Sequence, residues 1–542
     1  MKPVMKLMTA LVTMLCVARA SAQSKKIIAY YPEWAAHYNT YYVKDIEKCG
    51  AADKLTVLIY AFSEPGPDSS GTIVPKFMND FEAYQRVYTP ALSIDGVADD
   101  STQQLRGQFN QLRKLKALDP NLKVLISIGG WDGCKYFSDA VATPKSRERF
   151  TDAIIKMFIL GNLPIVNGAG GKGVAKGIFD GVDIDWEYPM GGGLAENHYN
   201  PNDRNNLTAF FALLRKKFDS VSLKLIITAA VPSSEKNASH YNIRFDQQYL
   251  DWYNLMTYDY VGEWVSATNH HTNLLTSPRD TSEAQLSFDK SIHLFVDSFN
   301  VSSRKIVPGA AFYGQGWDNV DSTNDGLYQH GKGIDLSDSV ASSRTYSFWS
   351  SLLSEGFDYH WDTLAMAPWL YSKKDHVFWT FDDAKSIALK SRYVDAYDLG
   401  GIMCWDISGD DSCGTLINAM YSGEMPDVNI RNTHCDKIFP SIELRLMSDR
   451  DRFTEGDNII LNTEIEDQNP SIAKVEFFVD NKSIGYDTEA PFDWVWFNTH
   501  RGKHKIKAVA TDTDGNRKTL NVVDVMVRAA QGTDRSTRAK NR

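Results

Sequence analysis

The sequence of 542 residues is short of cysteine, of long apolar runs and of excess basic charge. Its six cysteines form no CxxC pair, so we interpret them as structural rather than as metal ligands. The net charge of -10 disfavours nucleic acid and anionic membranes, because both bind clustered Lys and Arg. The composition therefore favours a neutral ligand.

The first 22 residues are typical of a signal peptide. Lys2 and Lys6 precede an apolar run over 7–17, and Ala20-Ser21-Ala22 gives the small-x-small pattern at which signal peptidase cleaves. A membrane anchor is the alternative, but the run is shorter than the roughly 20 residues that a spanning helix needs. We therefore expect a secreted, extracellular protein that begins at Gln23. Separately, we expect a monomer.

The loss of Cys16 with the signal peptide would leave five cysteines, an odd number. At least one thiol would then stay free or pair between chains. A bridge between Cys404 and Cys413 is one possible pairing.

Residues 23–430 alternate short apolar segments with amphipathic segments, as repeated βα units do. Helices are predicted over 103–118 and 203–218 from apolar residues at helical spacing. No GxGxxG follows the first strand, so an open dinucleotide-binding sheet is the weaker alternative. The pattern predicts a (β/α)8 TIM barrel, whose site lies at the C-terminal ends of its strands. The eight predicted strands are 27–31, 55–62, 124–128, 181–187, 225–231, 253–258, 306–313 and 401–407.

After residue 436 the apolar residues alternate with period two and no helix is indicated. Phe492, Trp494 and Trp496 are an example. This pattern predicts an all-β sandwich over 437–528, in which Asp514-Gly515 forms a hairpin turn. Its segments 472–480 (IAKVEFFVD) and 508–512 (AVATD) resemble those of bacterial immunoglobulin-like domains, which implies a spacer or a surface-binding module. Residues 529–542 are basic and polar and are predicted to be a disordered tail.

The segment 179–189, FDGVDIDWEYP, places three acids at alternate positions of one predicted strand. Alternation directs Asp183, Asp185 and Glu187 to the barrel lumen and the intervening apolar residues towards the helices. Like charges so close cannot all ionise, so at least one carboxyl should stay neutral near pH 7 and serve as a general acid. The three acids could instead lie on a solvated edge strand or form a metal site. The apolar residues between the acids and the lack of further ligands disfavour both.

This segment resembles the DxxDxDxE signature of glycoside hydrolase family 18, the chitinases and related endo-N-acetylglucosaminidases. Four further segments resemble family motifs in the same order over roughly 400 residues. They are Ser127 to Trp131 (SIGGW), Met256 to Asp259 (MTYD), Tyr313-Gly314, and Gly400 to Trp405 (GGIMCW).

The resemblance implies that Glu187 protonates the glycosidic oxygen, while Asp185 orients the substrate's N-acetyl group and exchanges a proton with Asp183. Tyr258 would bind the acetamido oxygen, and the mechanism would retain configuration through an oxazolinium ion. No cofactor and no metal are implied. The spacing of Asp185 and Glu187, roughly 6.6 Å along a strand, also suits an inverting pair, so spacing alone leaves the mechanism open.

Aromatic residues at strand ends suit the apolar faces of sugars. The resemblance places Trp405 beneath the distorted sugar and Asp259 beside it. It also implies a small α+β insertion at about 315–385, between strands 7 and 8, that deepens the cleft. The other residues that we place in the substrate cleft are Tyr31, Trp34, Phe62, Trp131, Tyr188, Met256 and Tyr313.

Three functions remain open. The resemblance favours a chitinase that acts on chitin or N-acetylglucosamine oligosaccharides. An endo-β-N-acetylglucosaminidase on N-glycans or peptidoglycan would share Glu187 and Tyr258. A chitin-binding lectin is disfavoured because such relatives lose the acid that Glu187 provides.

Overall fold

The computed structural model describes residues 25–335, 345–424, 442–447, 453–465, 472–480, 482–512 and 517–529. The predicted signal peptide, Cys435, the turn at Asp514-Gly515 and all but the first residue of the predicted tail lie outside these ranges.

Eight parallel strands close into a barrel, which confirms the predicted fold class. Strand β1 pairs with β2 on one side and with β8 on the other, where Ala29 lies opposite Cys404, so the sheet has no open edge. Each strand lies within two residues of its predicted start. The strands are β1 (Lys26–Pro32), β2 (Val57–Pro67), β3 (Lys123–Gly129), β4 (Gly181–Asp185), β5 (Ile226–Pro232), β6 (Trp252–Met256), β7 (Ile306–Ala311) and β8 (Gly401–Trp405).

Alternation along the strands separates two apolar clusters. In β4, Val182 and Ile184 pack outward with the helices, as predicted. Ile28 and Tyr30 of β1 face inward with Met403 of β8. Period-two side-chain geometry thus decides which residues can reach the lumen.

Helices cover the outside of the barrel, and the two predicted helices are present. The longer helices are Val43–Lys48, Gly107–Leu118, Pro144–Ile154, Asp203–Val221, Phe288–His293, Tyr346–Ser354, Ala384–Ala396 and Thr415–Ser422. Short helices are Ala35–Tyr38, Phe137–Val141, Glu235–Ala238 and Ile243–Asp246, and π-helical turns are Phe81–Gln85, Ile155–Ile159 and Leu294–Ser298. The 3₁₀ turns are Ser303–Lys305, Thr323–Gly326 and Ile407–Gly409. None of the helices within the described ranges is long and apolar enough to cross a membrane.

The predicted α+β insertion lies between β7 and β8. It forms a five-stranded antiparallel sheet with the helix Tyr346–Ser354 against it. Its strands are Gly314–Asp318, Lys332–Gly333, Asp358–Asp362, Ala367–Ser372 and Val377–Phe381. Ile73–Phe77 extends β2 as a hairpin, and Leu163–Val166 pairs with Ala169–Gly171.

The C-terminal region forms two β-sheets, as the predicted sandwich requires. One sheet contains Ile442–Met447, Ile459–Ile465 and Trp494–Trp496. The other contains Phe453–Thr454, Ile472–Val479, Lys482–Asp487, Gly502–Asp512 and Arg517–Arg528.

The suggested bridge between Cys404 and Cys413 is wrong. Both residues carry free thiols. Cys404 points outward from β8 into the buried layer beneath the helices, whereas Cys413 is exposed on a loop.

Candidate active site

Asp183 lies at the bottom of the acid column and is held by four donors. The hydroxyls of Tyr30 and Ser127 each donate to Oδ2 at 2.8 Å. Thr228 Oγ1 and Asn254 Nδ2 donate to Oδ1 at 2.6 and 3.1 Å. Burial raises the pKa of Asp183, and these donors oppose that rise. The donors come from four other strands, so the whole barrel wall fixes this carboxyl.

Asp185 lies two residues further along β4, and its carboxyl has fewer hydrogen-bond partners than that of Asp183. Burial, followed by the charges of Glu187 and Asp183, raises the pKa of Asp185 well above its ordinary value. Its Oδ1 is buried and has no hydrogen-bond partner among the described residues. Burial and the neighbouring acids therefore favour the neutral form of Asp185, and one of its oxygens is free for a ligand.

Glu187 follows the end of β4, nearest the mouth. The exposed fraction rises along the column, from 0% at Asp183 to 5% at Asp185 and 9% at Glu187. Burial raises the pKa of Glu187 to about 7, although a hydrogen bond from Tyr188 lowers it. The charges of Asp259 and Asp132 add to the rise. Glu187 can therefore donate a proton near neutral pH and accept one back.

Two neighbouring segments pack tightly around the end of β4. Gly129 has φ +118°, and a Cβ there would lie 1.9 Å from the Asp185 carbonyl oxygen. A Cβ at Gly130 would lie 2.6 Å from the ring of Phe62. This close approach is the physical reason for two glycines in the SIGGW segment. From the same loop, Cys134 Sγ accepts a hydrogen bond from the Glu187 amide at 3.1 Å.

Tyr258 and Asp259 follow β6 and face the acids. Tyr258 Oη has one weak partner, Met403 Sδ at 3.9 Å, and burial raises the pKa of Tyr258 well above its ordinary value. Tyr258 is therefore a neutral donor available to a ligand. Asp259 is 43% exposed in the cleft, with His271 Nδ1 3.7 Å from its Oδ1.

Burial alone would raise the pKa of Asp259, but His271, Tyr313 and Gln315 lower it overall. Gln315 Nε2 donates to Asp259 Oδ1 at 2.8 Å. The Tyr313 ring lies 5.9 Å from that of Tyr258. Asp259 is therefore a carboxylate held beside the acid Glu187.

An aromatic floor forms where β1, β2 and β8 end. Phe62 stacks on Trp405 with ring centroids 5.6 Å apart, and Tyr30 and Trp34 contact the same indole at 5.6 and 6.2 Å. Trp405 remains partly exposed towards the lumen. The ring is thus fixed by its neighbours with room for a ligand against it.

Tyr31 does not reach the cleft, which corrects its predicted place there. It is fully buried on the helix side of β1, where its hydroxyl donates to the Tyr41 carbonyl at 3.2 Å. The side chain that faces the acids is Tyr30, because neighbouring strand residues point to opposite faces.

The other predicted cleft residues lie around the mouth. Met256 packs partly buried against the inner cluster. Tyr188 contacts Glu187, and Trp131 is 47% exposed beyond β3. In contrast, Trp317, Trp369 and Trp379 lie in strands of the insertion and form its cores.

Sequence reasoning missed several groups around the acids, namely Tyr30, Thr228, Asn254, His271 and Gln315. Thr228 and Asn254 carried a usable signal, because each is a polar residue inside an otherwise apolar strand. His271 and Gln315 carried none, since a loop after β6 and the first strand of the insertion bring them to Asp259. Among the described residues, no group of three or more His, Cys, Asp or Glu is arranged to hold a metal ion.

The chain thus has the fold and the buried acids of the (β/α)8 glycoside hydrolases. The family model described as Glycosyl hydrolases family 18 matches residues 26–410, and the model described as Bacterial Ig domain matches 440–508. The chain belongs to glycosyl hydrolase family 18.

Chitinase A1 from Niallia circulans is 31% identical over 423 residues, which cover 72% of this chain and 57% of that protein. Chitinase C from Streptomyces lividans is 30% identical over 403 residues, which cover 71% and 58%. The chain thus spans less than two thirds of the length of either relative. The catalytic domain of psychrophilic chitinase B from Arthrobacter TAD20 superimposes with a TM-score of 0.67 at 28% identity, covering 74% of this chain and 96% of that one.

Proposed function

We propose that this protein is a secreted chitinase that hydrolyses β-1,4 bonds between N-acetylglucosamine units, with Glu187 as general acid and base. One observation carries the proposal. The unpartnered Oδ1 of Asp185 and the weakly bonded hydroxyl of Tyr258 both lie beside Glu187. One acetamido group offers a matching N–H and C=O, so it would satisfy both.

In the first step the acetamido carbonyl oxygen attacks the anomeric carbon, while Glu187 donates its proton to the leaving glycosidic oxygen. The bond between the anomeric carbon and that oxygen breaks, and an oxazolinium ion forms. A pKa of about 7 keeps Glu187 protonated for this step at mildly acid pH. Glu187 then takes a proton from water, which opens the oxazolinium ring with net retention.

Asp183 and Asp185 would share one proton during this cycle. Three of the four groups that hold Asp183 are hydroxyls, which can turn from donating to accepting. Asp183 can therefore take the proton from Asp185 as positive charge develops on the substrate. The resulting Asp185 carboxylate would stabilise the acetamido N–H. Tyr258 would hold the acetamido oxygen, and Trp405 would lie under the sugar ring.

The test compares a soluble N-acetylglucosamine oligomer with its fully deacetylated counterpart, using wild-type protein and Glu187→Gln. We expect cleavage of the acetylated oligomer only, with β-anomeric products at first and no turnover by the variant. Cleavage of both oligomers would contradict the role of the acetamido group. Cleavage of neither, with N-glycans cut instead, would identify an endo-β-N-acetylglucosaminidase.

A further inference from the structure

The first eight residues of helix Ala384–Ala396 are all buried, which is unusual for an outer helix of a barrel. Such a helix normally keeps a polar face in water. Here Lys385, Ser386, Lys390 and Ser391 are all buried. The immunoglobulin-like domain covers the face that would otherwise meet solvent, and one apolar cluster continues from the barrel into the sandwich.

One end of this helix is held by a buried ion pair. Lys385 Nζ lies 2.9 Å from Asp487 Oδ2, and the two side chains are 2% and 0% exposed. Lys385 also donates to the Pro491 carbonyl at 2.5 Å and lies 4.2 Å above the ring of Trp361 in the insertion. Separating the domains would expose to water the apolar surface that the interface buries, which disfavours separation.

The other end of the helix is held by a second set of contacts. The Arg392 guanidinium lies 4.3 Å from the ring of Trp494 and donates to the Ile484 carbonyl. Asn498 Nδ2 donates to the Ala396 carbonyl at 3.2 Å. Two separate anchor points fix the orientation of the domain, which a flexible spacer does not need.

The inner face of the same helix reaches the cleft wall. Lys390 Nζ donates to Asp382 Oδ2 and to Thr272 Oγ1, each at 2.6 Å. The single hydroxyl proton of Thr272 is shared between the Thr257 carbonyl at 3.1 Å and Asp382 Oδ2 at 3.2 Å. The Ala311 amide donates to Asp382 Oδ2 at 3.0 Å. Thr257 directly precedes Tyr258, so the network ends at the backbone that carries Tyr258 and Asp259.

We propose that the immunoglobulin-like domain is a brace that fixes the Tyr258–Asp259 side of the cleft through helix Ala384–Ala396. The inference rests on the proposed function for its kinetic readout. It assigns the domain a role in the cleavage of short soluble substrates, where binding to an insoluble surface plays no part.

The test uses the full chain with Lys385→Met, which leaves the buried Asp487 carboxyl without its cation and so weakens the interface. The matched control is Lys505→Met, which removes the cation of an exposed pair with Asp524, 3.9 Å apart on the same domain. Circular dichroism confirms that each variant is folded. The measurements are kcat and KM on a soluble N-acetylglucosamine oligomer, the pH profile, and hydrogen exchange of the backbone around Thr257.

We expect the interface variant to lose about 3- to 30-fold in kcat/KM, the size of effect typical of coupling between sites. Its alkaline limb should move to lower pH, because a loosened Asp259 raises the pKa of Glu187 less. Exchange around Thr257 should become faster, whereas the exposed control should match the wild type in all three measurements.

Unchanged kinetics and hydrogen exchange in the folded interface variant would refute the role of the immunoglobulin-like domain as a brace. The domain would then be a spacer. If that variant does not fold, Asn498→Gly removes a single interface hydrogen bond without straining the left-handed backbone at φ 46°, and should give a smaller loss in the same direction. No change in that variant would also overturn the inference. A wild-type protein that cleaves no oligomer would refute the proposed function, while hydrogen exchange would still test the brace.

Discussion

Thr228→Val tests whether the barrel wall stabilises Asp183 as an anion. The hydroxyl of Thr228 donates to Asp183 Oδ1 at 2.6 Å in a fully buried setting, and valine keeps the shape without the donor. Loss of a hydrogen bond to a charged group costs about 1.5–3 kcal/mol. Unfolding entropy of about 2.1 cal/mol/K per residue gives roughly 1 kcal/mol/K for about 500 residues, because barrel and sandwich should unfold together. We therefore expect Tm to fall by about 1.5–3 °C at pH 7.

The loss of stability caused by Thr228→Val should depend on pH. The folded-state pKa of Asp183 is raised above the ordinary value of 3.8, so its stability penalty grows as pH rises from 3.8 through the folded pKa. Thr228→Val raises the folded pKa further. The extra loss should thus be present at pH 7 and shrink towards pH 4.

Thr151→Val is the matched control, because Thr151 is equally buried but its hydroxyl has no partner in the described structure. Differential scanning calorimetry of both variants at pH 4 and pH 7 measures the effect. An equal change in Tm for the two variants, or a loss at Thr228 that does not depend on pH, would refute the reasoning.

Three further predictions concern activity. The alkaline limb of kcat/KM should lie near pH 7, since the pKa of Glu187 is raised to about 7 and only its protonated form donates. A limb near pH 4 to 5 in the kinetic profile would contradict this prediction. Tyr258→Phe should lower kcat by about 10²-fold or more, as loss of one oxyanion donor does, with little change in substrate binding by calorimetry. Tyr30→Phe should lower kcat, because it removes a donor from Asp183, whereas Tyr31→Phe should not; equal rates in the two variants would argue against the observed alternation of β1.

The barrel was predictable because a doubly covered strand has a distinctive apolar composition. Each of the eight strands lies in a short, mostly apolar run, and the acids of β4 stand out because a buried strand rarely contains even one. The error at Tyr31 has the same origin as this success. A run such as IIAYYP is apolar on both faces, so composition locates the strand but does not show which of two adjacent tyrosines faces the lumen.

Contacts between distant segments were not predictable. His271 reaches Asp259 from a loop without a periodic pattern, and Gln315 reaches it from the strand Gly314–Asp318 of the insertion. In an ordinary amphipathic helix Lys385 and Lys390 would face solvent. Lys385 is instead buried by the second domain and Lys390 by its contacts with Asp382 and Thr272, and local spacing encodes neither.

The burial of helix Ala384–Ala396 also bears on where one cooperative unit ends and the next begins. The family matches end at residue 410 and begin again at residue 440. Lys385 from the first match and Asp487 from the second nevertheless form one buried ion pair. If one domain melted alone, its partner would expose to water the apolar surface that the interface buries. Domain boundaries drawn by homology therefore divide what should be a single calorimetric transition, and heating should unfold barrel and sandwich together.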